Sequence, residues 1–141
     1  MADPLTLTPR VSIELIEGPV DEQTAEPIEG AGAVLAFRGV VRPLEDGRLL
    51  SGLSYTSYDP MAEQQLRRIA EHAADTHGLL HVRIIHSRGF VPTGGASLLI
   101  KLASAHRKPA LAAMDAILDN LKRDVPIWKR PVWADEQELE G

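Results

Sequence analysis

The 141-residue sequence predicts a single α+β domain in which helices pack on a largely antiparallel sheet. Segments with strand patterns outnumber those with helix patterns. Pairs of strands separate the predicted helices, which favours an antiparallel sheet over a regular strand-helix alternation. A hydrophobic content of 44% with 25% charged residues is typical of a folded chain, and this length suffices to bury a sizeable core. Because no repeat or linker divides the chain, we expect residues 1–141 to form one domain.

The first half of the chain predicts three strands. Apolar and polar residues alternate over Val11–Glu17, which is the pattern of a half-buried strand. The acidic residues 21–29 predict a short helix or loop. Small apolar residues at 30–41 predict a buried strand, and residues 49–58 predict another. Because residues 45–47 carry a Glu-Asp-Gly turn signal, we expect these last two strands to form a hairpin.

The clearest helix follows these strands. We expect Asp59 to be its N-cap, Pro60 its first helical residue and Gly78 its end. The apolar residues that recur at helical spacing are Met61, Leu66, Ile69, Ala70, Ala73 and Ala74.

The second half predicts a hairpin and a second helix. Residues 81–90 and 96–104 predict two strands, and the Pro-Thr-Gly-Gly sequence at 92–95 predicts the turn between them. Residues 107–123 predict a helix, and residues 125–132, which contain two prolines, predict an ordered but irregular segment. The residues that this helix is expected to bury are Leu111, Met114, Ile117, Leu118 and Leu121.

Charge is unevenly distributed along the chain. The net charge is -5, yet residues 31–133 carry 14 basic and nine acidic residues, a local charge of +5. Residues 134–141 carry four acidic residues and no basic one, and we expect them to form a flexible acidic tail. The overall charge and the mere six aromatic residues do not favour nucleic-acid binding.

The chain contains no cysteine, which excludes disulfides, thiolate nucleophiles and thiolate metal sites. Any sulfur used in a reaction must therefore come from another molecule. No apolar run approaches the ~18 residues of a membrane helix, and the N-terminus lacks a secretory signal pattern. We therefore expect a cytoplasmic protein without a membrane partner.

The histidines do not show metal-ligand spacing. His72 and His77 are five residues apart and lie on different faces of a helix, and His81 and His86 point to opposite sides of a strand. A structural or solvated role is favoured for all four. The sequence also lacks a phosphate loop and a dinucleotide fingerprint, so neither a metal nor a cofactor is predicted.

Cationic residues form three clusters. These are Arg38 with Arg42, His106 with Arg107 in residues 104–108, and Lys122 with Lys129 and Arg130. Residues 104–108 lie at a predicted helix start, where unpaired backbone N–H groups suit a phosphate or carboxylate. Each cluster alone fits solvated surface charge, and Lys122 alone fits a cation favoured by the helix dipole. Together the clusters indicate one pocket for a small anion, in which a lysine is a candidate acid, base or nucleophile.

Five short motifs then carry a family resemblance. They are FRGVVR at residues 37–42, LSYTSYDPMA at 53–62, HSRG at 86–89, SAHR at 104–107 and LKRDVPIWKR at 121–130. In order and spacing they resemble the large, catalytic subunit of molybdopterin synthase. The match extends over residues 30–130, and its last two motifs are the specific ones.

The resemblance implies an α/β-hammerhead fold and a homodimer within a heterotetramer. Each protomer of that family binds a small ubiquitin-like sulfur carrier, which inserts a C-terminal Gly-Gly thiocarboxylate into the pocket. The enzyme transfers two sulfurs to cyclic pyranopterin monophosphate and opens its cyclic phosphate. The product is the dithiolene of molybdopterin, so the implied activity is that of a sulfurtransferase.

The resemblance also implies the site residues. The residues implied to bind the substrate are Val40, Val41, Arg42, His106, Arg107, Lys122, Lys129 and Arg130. Arg42, His106 and Arg107 are implied to hold the phosphate and pterin. Lys122 and Lys129 are the implied catalytic residues, with Lys122 acting in acid/base or acyl-transfer steps at the thiocarboxylate.

Four positions depart from the family pattern. Thr56, Gly95 and Pro131 stand where glutamate is common, and Ser87 stands where arginine is common. These departures leave a second hypothesis open. In it the chain is a non-catalytic relative that binds the carrier or a small anion without turnover.

Overall fold

A computed structural model describes residues 10–21 and 28–135. The acidic segment at 22–27 and the tail at 136–141 lie outside the described residues. The elements in chain order are β1 (Val11–Glu17), β2 (Ala33–Val40), β3 (Leu44–Glu45), β4 (Arg48–Ser57), α1 (Met61–His77), β5 (His81–Pro92), β6 (Ala96–Ser104), α2 (Arg107–Asp124) and β7 (Ile127–Trp133).

The strands form one sheet in which the main order is β2-β6-β5-β4-β3. Strand β1 joins β5 in parallel, and β7 joins β4 antiparallel. The remaining strand pairs are all antiparallel. The predicted α+β class with a largely antiparallel sheet is therefore confirmed, as are the strand Val11–Glu17 and the hairpin of β5 and β6.

Both helices pack on one face of the sheet. Alternate residues of β5 and β6, such as Ile84 and Ile100, point to this face and are fully buried beneath the helices. Buried alanines, among them Ala70 and Ala113, contribute to the same core. A smaller apolar cluster around Ile85 lies on the opposite face.

The predicted hairpin between residues 30–41 and 49–58 is wrong. Strand β2 pairs with β6, and β4 folds back only on the two residues of β3. Asp46 and Gly47 both have positive φ and close a tight turn, but this turn fixes only the pairing of Leu44 and Glu45. The local signal therefore identified a turn and not the partner of β2.

The start of α1 also differs from the prediction. Asp59 is not the N-cap, because the helix begins at Met61 and Pro60 holds the N-cap position without a side-chain cap. The Asp59 carboxylate instead accepts a hydrogen bond from Ser57 at 3.2 Å and pairs with Arg88. The predicted end is confirmed, since Gly78 caps the helix in the left-handed conformation.

The segment at residues 125–132 is not irregular, since most of it belongs to β7, which pairs with β4 from Leu50 to Ser57. Pro131 lies opposite Leu53 within this ladder. Among the described residues, β7 has a strand neighbour on one side only. A proline is tolerated on such an edge strand because its missing N–H need not serve a second neighbour.

In α2, the predicted burial of Met114, Ile117 and Leu121 is confirmed, and Leu118 is partly buried. Leu111 is 54% exposed, so its predicted burial is wrong. The small residues Ala110 and Ala113 are fully buried instead. In the described part of the chain, neither helix has the length and apolarity needed to span a membrane.

Candidate functional site

A cavity of about 680 Å³ opens where the end of β2 meets the end of α2. Its walls also include residues of β4, β5, β6 and β7. The lining residues are Phe37, Arg38, Gly39, Val40, Val41, Arg42, Glu45, Leu50, Leu53, Tyr55, His86, Ser97, Leu98, Leu118, Leu121, Lys122, Val125, Ile127 and Lys129.

Backbone hydrogen bonds fix the wall that carries Arg42. The Val41 N–H donates to the Gly95 carbonyl at 3.0 Å, and the Gly94 N–H donates to the Val41 carbonyl at 2.9 Å. Gly94 has a φ of 86°, which the turn between β5 and β6 requires and which a side chain disfavours. The turn predicted at residues 92–95 therefore also anchors the segment that presents Val40, Val41 and Arg42.

Two lysines reach the cavity from other elements. Lys122 lies in the last turn of α2, directly after the buried Leu121 that anchors the helix end. Lys129 lies on β7 opposite Tyr55 of β4, and both residues line the cavity. The lysines are seven residues apart, and the turn from α2 into β7 brings them to one site.

The cavity is cationic. Arg38, Arg42, Lys122 and Lys129 line it, whereas Glu45 is its one acidic lining residue among those described. Such a concentration of positive charge attracts a phosphate or a carboxylate. Within the described residues, no group of three or more histidine or acidic side chains is placed to hold a metal ion. The arrangement therefore suits charge stabilisation of an anion.

Three residues of the predicted site do not line this cavity. His106 is the N-cap of α2 and Arg107 is its first residue, at the opposite end of the helix from Lys122. Fifteen residues of α-helix correspond to about 22 Å, so Arg107 and Lys122 are far apart within one chain. Arg130 follows Lys129 on β7, where successive side chains point to opposite faces.

Sequence reasoning missed a polar group on the cavity floor, formed by Tyr55, His86 and Ser97. Burial raises the pKa of Tyr55, and a hydrogen bond with Ser97 acts in the opposite direction. Burial lowers the pKa of His86, and its hydrogen bond to the Ser87 carbonyl partly offsets this. The alternation of side chains along β5 was one available signal for the burial of His86. His86 lies on the same face of the strand as the apolar residues Val82 and Ile84.

None of the four departures from the family pattern lines the cavity. Thr56 is exposed on β4, and Pro131 belongs to the outer strand β7. Ser87 is fully buried and its hydroxyl donates to the Gly18 carbonyl, so it has a structural contact. Gly95 acts through its backbone, which holds Val41.

Known proteins with similar sequences belong to the family that the sequence motifs resemble. The molybdopterin synthase catalytic subunit of Neosartorya fischeri is 38% identical over 130 residues, covering 92% of this chain and 64% of that protein. The human protein of the same name is 34% identical over 110 residues, covering 78% of this chain and 58% of that protein. The chain thus spans about three fifths of the length of these curated relatives.

Solved structures share the fold. The crystal structure of molybdopterin synthase from Staphylococcus aureus has a TM-score of 0.78 and 32% identity, covering 86% of this chain and 91% of that one. A complex of subunits 1 and 2 of molybdopterin-converting factor from Helicobacter pylori has a TM-score of 0.70 and 25% identity, covering 89% and 91%. The family model described as MoaE protein matches residues 15–124. The chain therefore belongs to the MoaE protein family.

Proposed function

We propose that this chain is the catalytic subunit of a molybdopterin synthase. It transfers sulfur from a small thiocarboxylated carrier protein to cyclic pyranopterin monophosphate. The observation that carries the proposal is the cavity that Arg42, Lys122 and Lys129 line together, from the segment after β2, from α2 and from β7. Both the substrate phosphate and the carrier terminus are anions, which this cationic cavity suits. The absence of cysteine from the chain agrees with sulfur that arrives on a partner.

In this proposal each cation of the cavity has its own role. Arg42 holds the phosphate, since a guanidinium donates paired hydrogen bonds to phosphate oxygens. Lys122 lies at the carrier terminus. There the thiocarboxylate sulfur bonds to the substrate, and water then cleaves the carbonyl–sulfur bond, which leaves the sulfur on the substrate and the carrier as a carboxylate. The Lys122 ammonium stabilises the negative charge that develops on the carbonyl oxygen during this cleavage. Lys129 lines the cavity from β7 and adds a second cation that stabilises this charge. Fixed cations aimed at developing charge lower a barrier without the reorganisation that water would require.

The partner in this proposal is a ubiquitin-like carrier that ends in Gly-Gly. The family neighbour from Helicobacter pylori is a complex of two subunits, which supports a two-subunit assembly for this chain. A Gly-Gly terminus is narrow and flexible enough to enter the cavity beside Lys122. We expect the assembly to act in the cytoplasm.

A homodimer explains the distant pair His106 and Arg107. Within one chain these residues lie at the far end of α2 from Lys122. A second copy can contribute its own helix start to the cavity of its partner, which adds two further anion-binding groups. The proposed assembly is therefore a heterotetramer of two large and two carrier subunits, with cavities that each contain residues of two large subunits.

The placement of the four departures favours the catalytic hypothesis over the non-catalytic one. A relative that had lost turnover would be expected to have lost lining residues, yet Arg42, Lys122 and Lys129 are all present in the cavity. Thr56, Ser87, Gly95 and Pro131 lie outside its lining.

The test is a sulfur-transfer assay with the full chain, the thiocarboxylated carrier and cyclic pyranopterin monophosphate. We expect dithiolene product from the wild type and a loss of about 100-fold or more in Lys122→Ala, as for removal of a transition-state charge contact. Arg123→Ala is the matched control, because Arg123 is the next residue of α2 and pairs with Asn120 and Asp124 outside the cavity. Carrier binding without any product from the wild type would support the non-catalytic hypothesis instead.

A further inference from the structure

His86 is a buried histidine on the cavity floor that has no role in the sulfur transfer proposed above. It lies on β5, is 5% exposed and lines the cavity. The ring of Tyr55 meets it edge-on and covers part of its surface. A buried, polar lining residue of this kind is suited to contact a ligand.

The hydrogen bond at Nδ1 fixes the tautomer of His86. Nδ1 lies 2.8 Å from the Ser87 carbonyl oxygen, which can only accept, so Nδ1 carries the proton and donates. Burial lowers the pKa of His86, which keeps the ring neutral at pH 7. Nε2 is then left with a lone pair and can only accept a hydrogen bond.

Nε2 is available to a ligand. Among residues 10–21 and 28–135, no group makes a hydrogen bond to it. Because His86 lines the cavity, the cavity is its route to a ligand.

The other polar groups of the cavity make this acceptor distinctive. Arg38, Arg42, Lys122 and Lys129 donate hydrogen bonds and cannot accept them. Glu45 accepts, but as an anion it opposes the binding of an anionic ligand. The hydroxyls of Tyr55 and Ser97 also line the cavity, but they are hydrogen-bonded to each other. A ligand that carries both a phosphate and N–H groups therefore needs a further neutral acceptor for its N–H groups.

We propose that His86 Nε2 accepts a hydrogen bond from an N–H group of the substrate's nitrogen heterocycle and so orients that ring in the cavity. The identity of the ring as the pterin rests on the proposed function. In this role His86 is a substrate-binding residue, and it complements the cations that hold the phosphate.

Two substitutions separate this role from a structural one. His86→Asn keeps a side-chain N–H close to the Nδ1 position, where it can donate to the Ser87 carbonyl, but it has no acceptor at Nε2. His86→Gln places an amide oxygen near the Nε2 position, where it can accept a hydrogen bond, but it loses the N–H group that donates to the Ser87 carbonyl. His72→Asn is the control, because His72 is an exposed histidine of α1 that does not line the cavity. Calorimetry measures binding of cyclic pyranopterin monophosphate to the full chain without the carrier.

We expect His86→Asn to bind about tenfold more weakly, as when a buried N–H donor loses its partner. His86→Gln and His72→Asn should stay within about threefold of the wild type, the spread of ordinary context effects. Unchanged affinity in His86→Asn, or equal losses in the Asn and Gln variants, overturns the role of His86 and leaves the proposed function standing. If the wild type does not bind the compound, both proposals fail.

Nitrogen NMR of the wild type supplies a readout that does not depend on how the variants fold. We expect the free protein to show His86 protonated at Nδ1, with an Nε2 resonance that shifts when the compound is added. A proton on Nε2 in the free protein, or an Nε2 resonance unaffected by the compound, overturns the proposal.

Discussion

The ring of Tyr55 meets the ring of His86 edge-to-face, with centroids 5.5 Å apart and 76° between the ring planes. The contact joins β4 to β5 on the floor of the cavity. Because Tyr55 is also hydrogen-bonded with Ser97 of β6, one side chain connects three strands at the point where the cavity begins.

Substitutions of Tyr55 separate its two contacts. Tyr55→Phe keeps the ring but removes the hydrogen bond with Ser97, and we expect it to lower the free energy of unfolding by about 1 kcal/mol. Tyr55→Leu also removes the ring contact, which should cost about a further 1 kcal/mol. Denaturant unfolding of both variants measures this. Equal losses in the two variants would show that the ring contact contributes nothing.

The buried histidine predicts a dependence of stability on pH. Because the folded-state pKa of His86 lies below its ordinary value of about 6.5, the unfolded chain binds more protons in the window below that value. The stabilisation by neutral His86 is therefore complete above about pH 6.5 and is lost as the pH falls toward the folded-state pKa.

The measurement is the free energy of unfolding of wild type and His86→Gln from pH 8 to 5. Tyr55 packs against His86 from β4, and Ser97 and Lys122 line the same cavity from β6 and α2. Both proteins keep these three residues, so the difference between them isolates the histidine. The wild type should lose more stability than the variant as the pH falls. His72→Gln, at an exposed position, should follow the wild type.

Two leucine-sized residues of α2 differ sharply in their surroundings. Ile117 is fully buried, whereas Leu111 is 54% exposed. We expect Ile117→Ala to lower the free energy of unfolding by about 2–5 kcal/mol, because it leaves a cavity in the core. Leu111→Ala should cost about 0.5 kcal/mol or less. Similar losses in the two variants, measured by denaturant unfolding, would contradict the orientation of α2.

Complementation tests whether His106 and Arg107 act in the cavity of a second copy. Lys122→Ala and Arg107→Ala should each be inactive alone in the sulfur-transfer assay. In dimers assembled at random from both variants, half are mixed, and each mixed dimer has one intact cavity, so about a quarter of wild-type activity should return. If Arg107 acts in the cavity of its own chain, every cavity is damaged and no activity returns.

Local patterns in the sequence predicted the positions of helices and strands well, but they predicted less well which strands pair with each other. The alternation in Val11–Glu17 and the left-handed Gly78 are determined by neighbouring residues, so the sequence alone located them. The pairing of β2 with β6 joins residues about 60 positions apart. No turn signal reports such a pairing, because it depends on which buried strands stack beneath the helices.

The candidate site likewise combines residues that the sequence indicates with residues whose place depends on the folded structure. The clusters that include Arg42, Lys122 and Lys129 were visible as charge, and the motif resemblance indicated that they belong together. For His86 the sequence favours only a structural or solvated role. Its place in the cavity depends on the strands and the helix end that line the cavity with it, which local spacing does not report. The separation of Arg107 from Lys122 follows from the length of α2, which a list of cationic residues does not convey.

The continuity of α2 has a consequence for communication between the cavities of the proposed homodimer. Arg107 and Lys122 belong to one uninterrupted helix, so a displacement of that helix along its axis moves both residues together. In the proposed homodimer, Lys122 serves one cavity and Arg107 the other. Occupation of one cavity should then change the affinity of the second, which is cooperativity transmitted by a rigid element. A calorimetric isotherm described by two equal and independent sites would exclude this coupling.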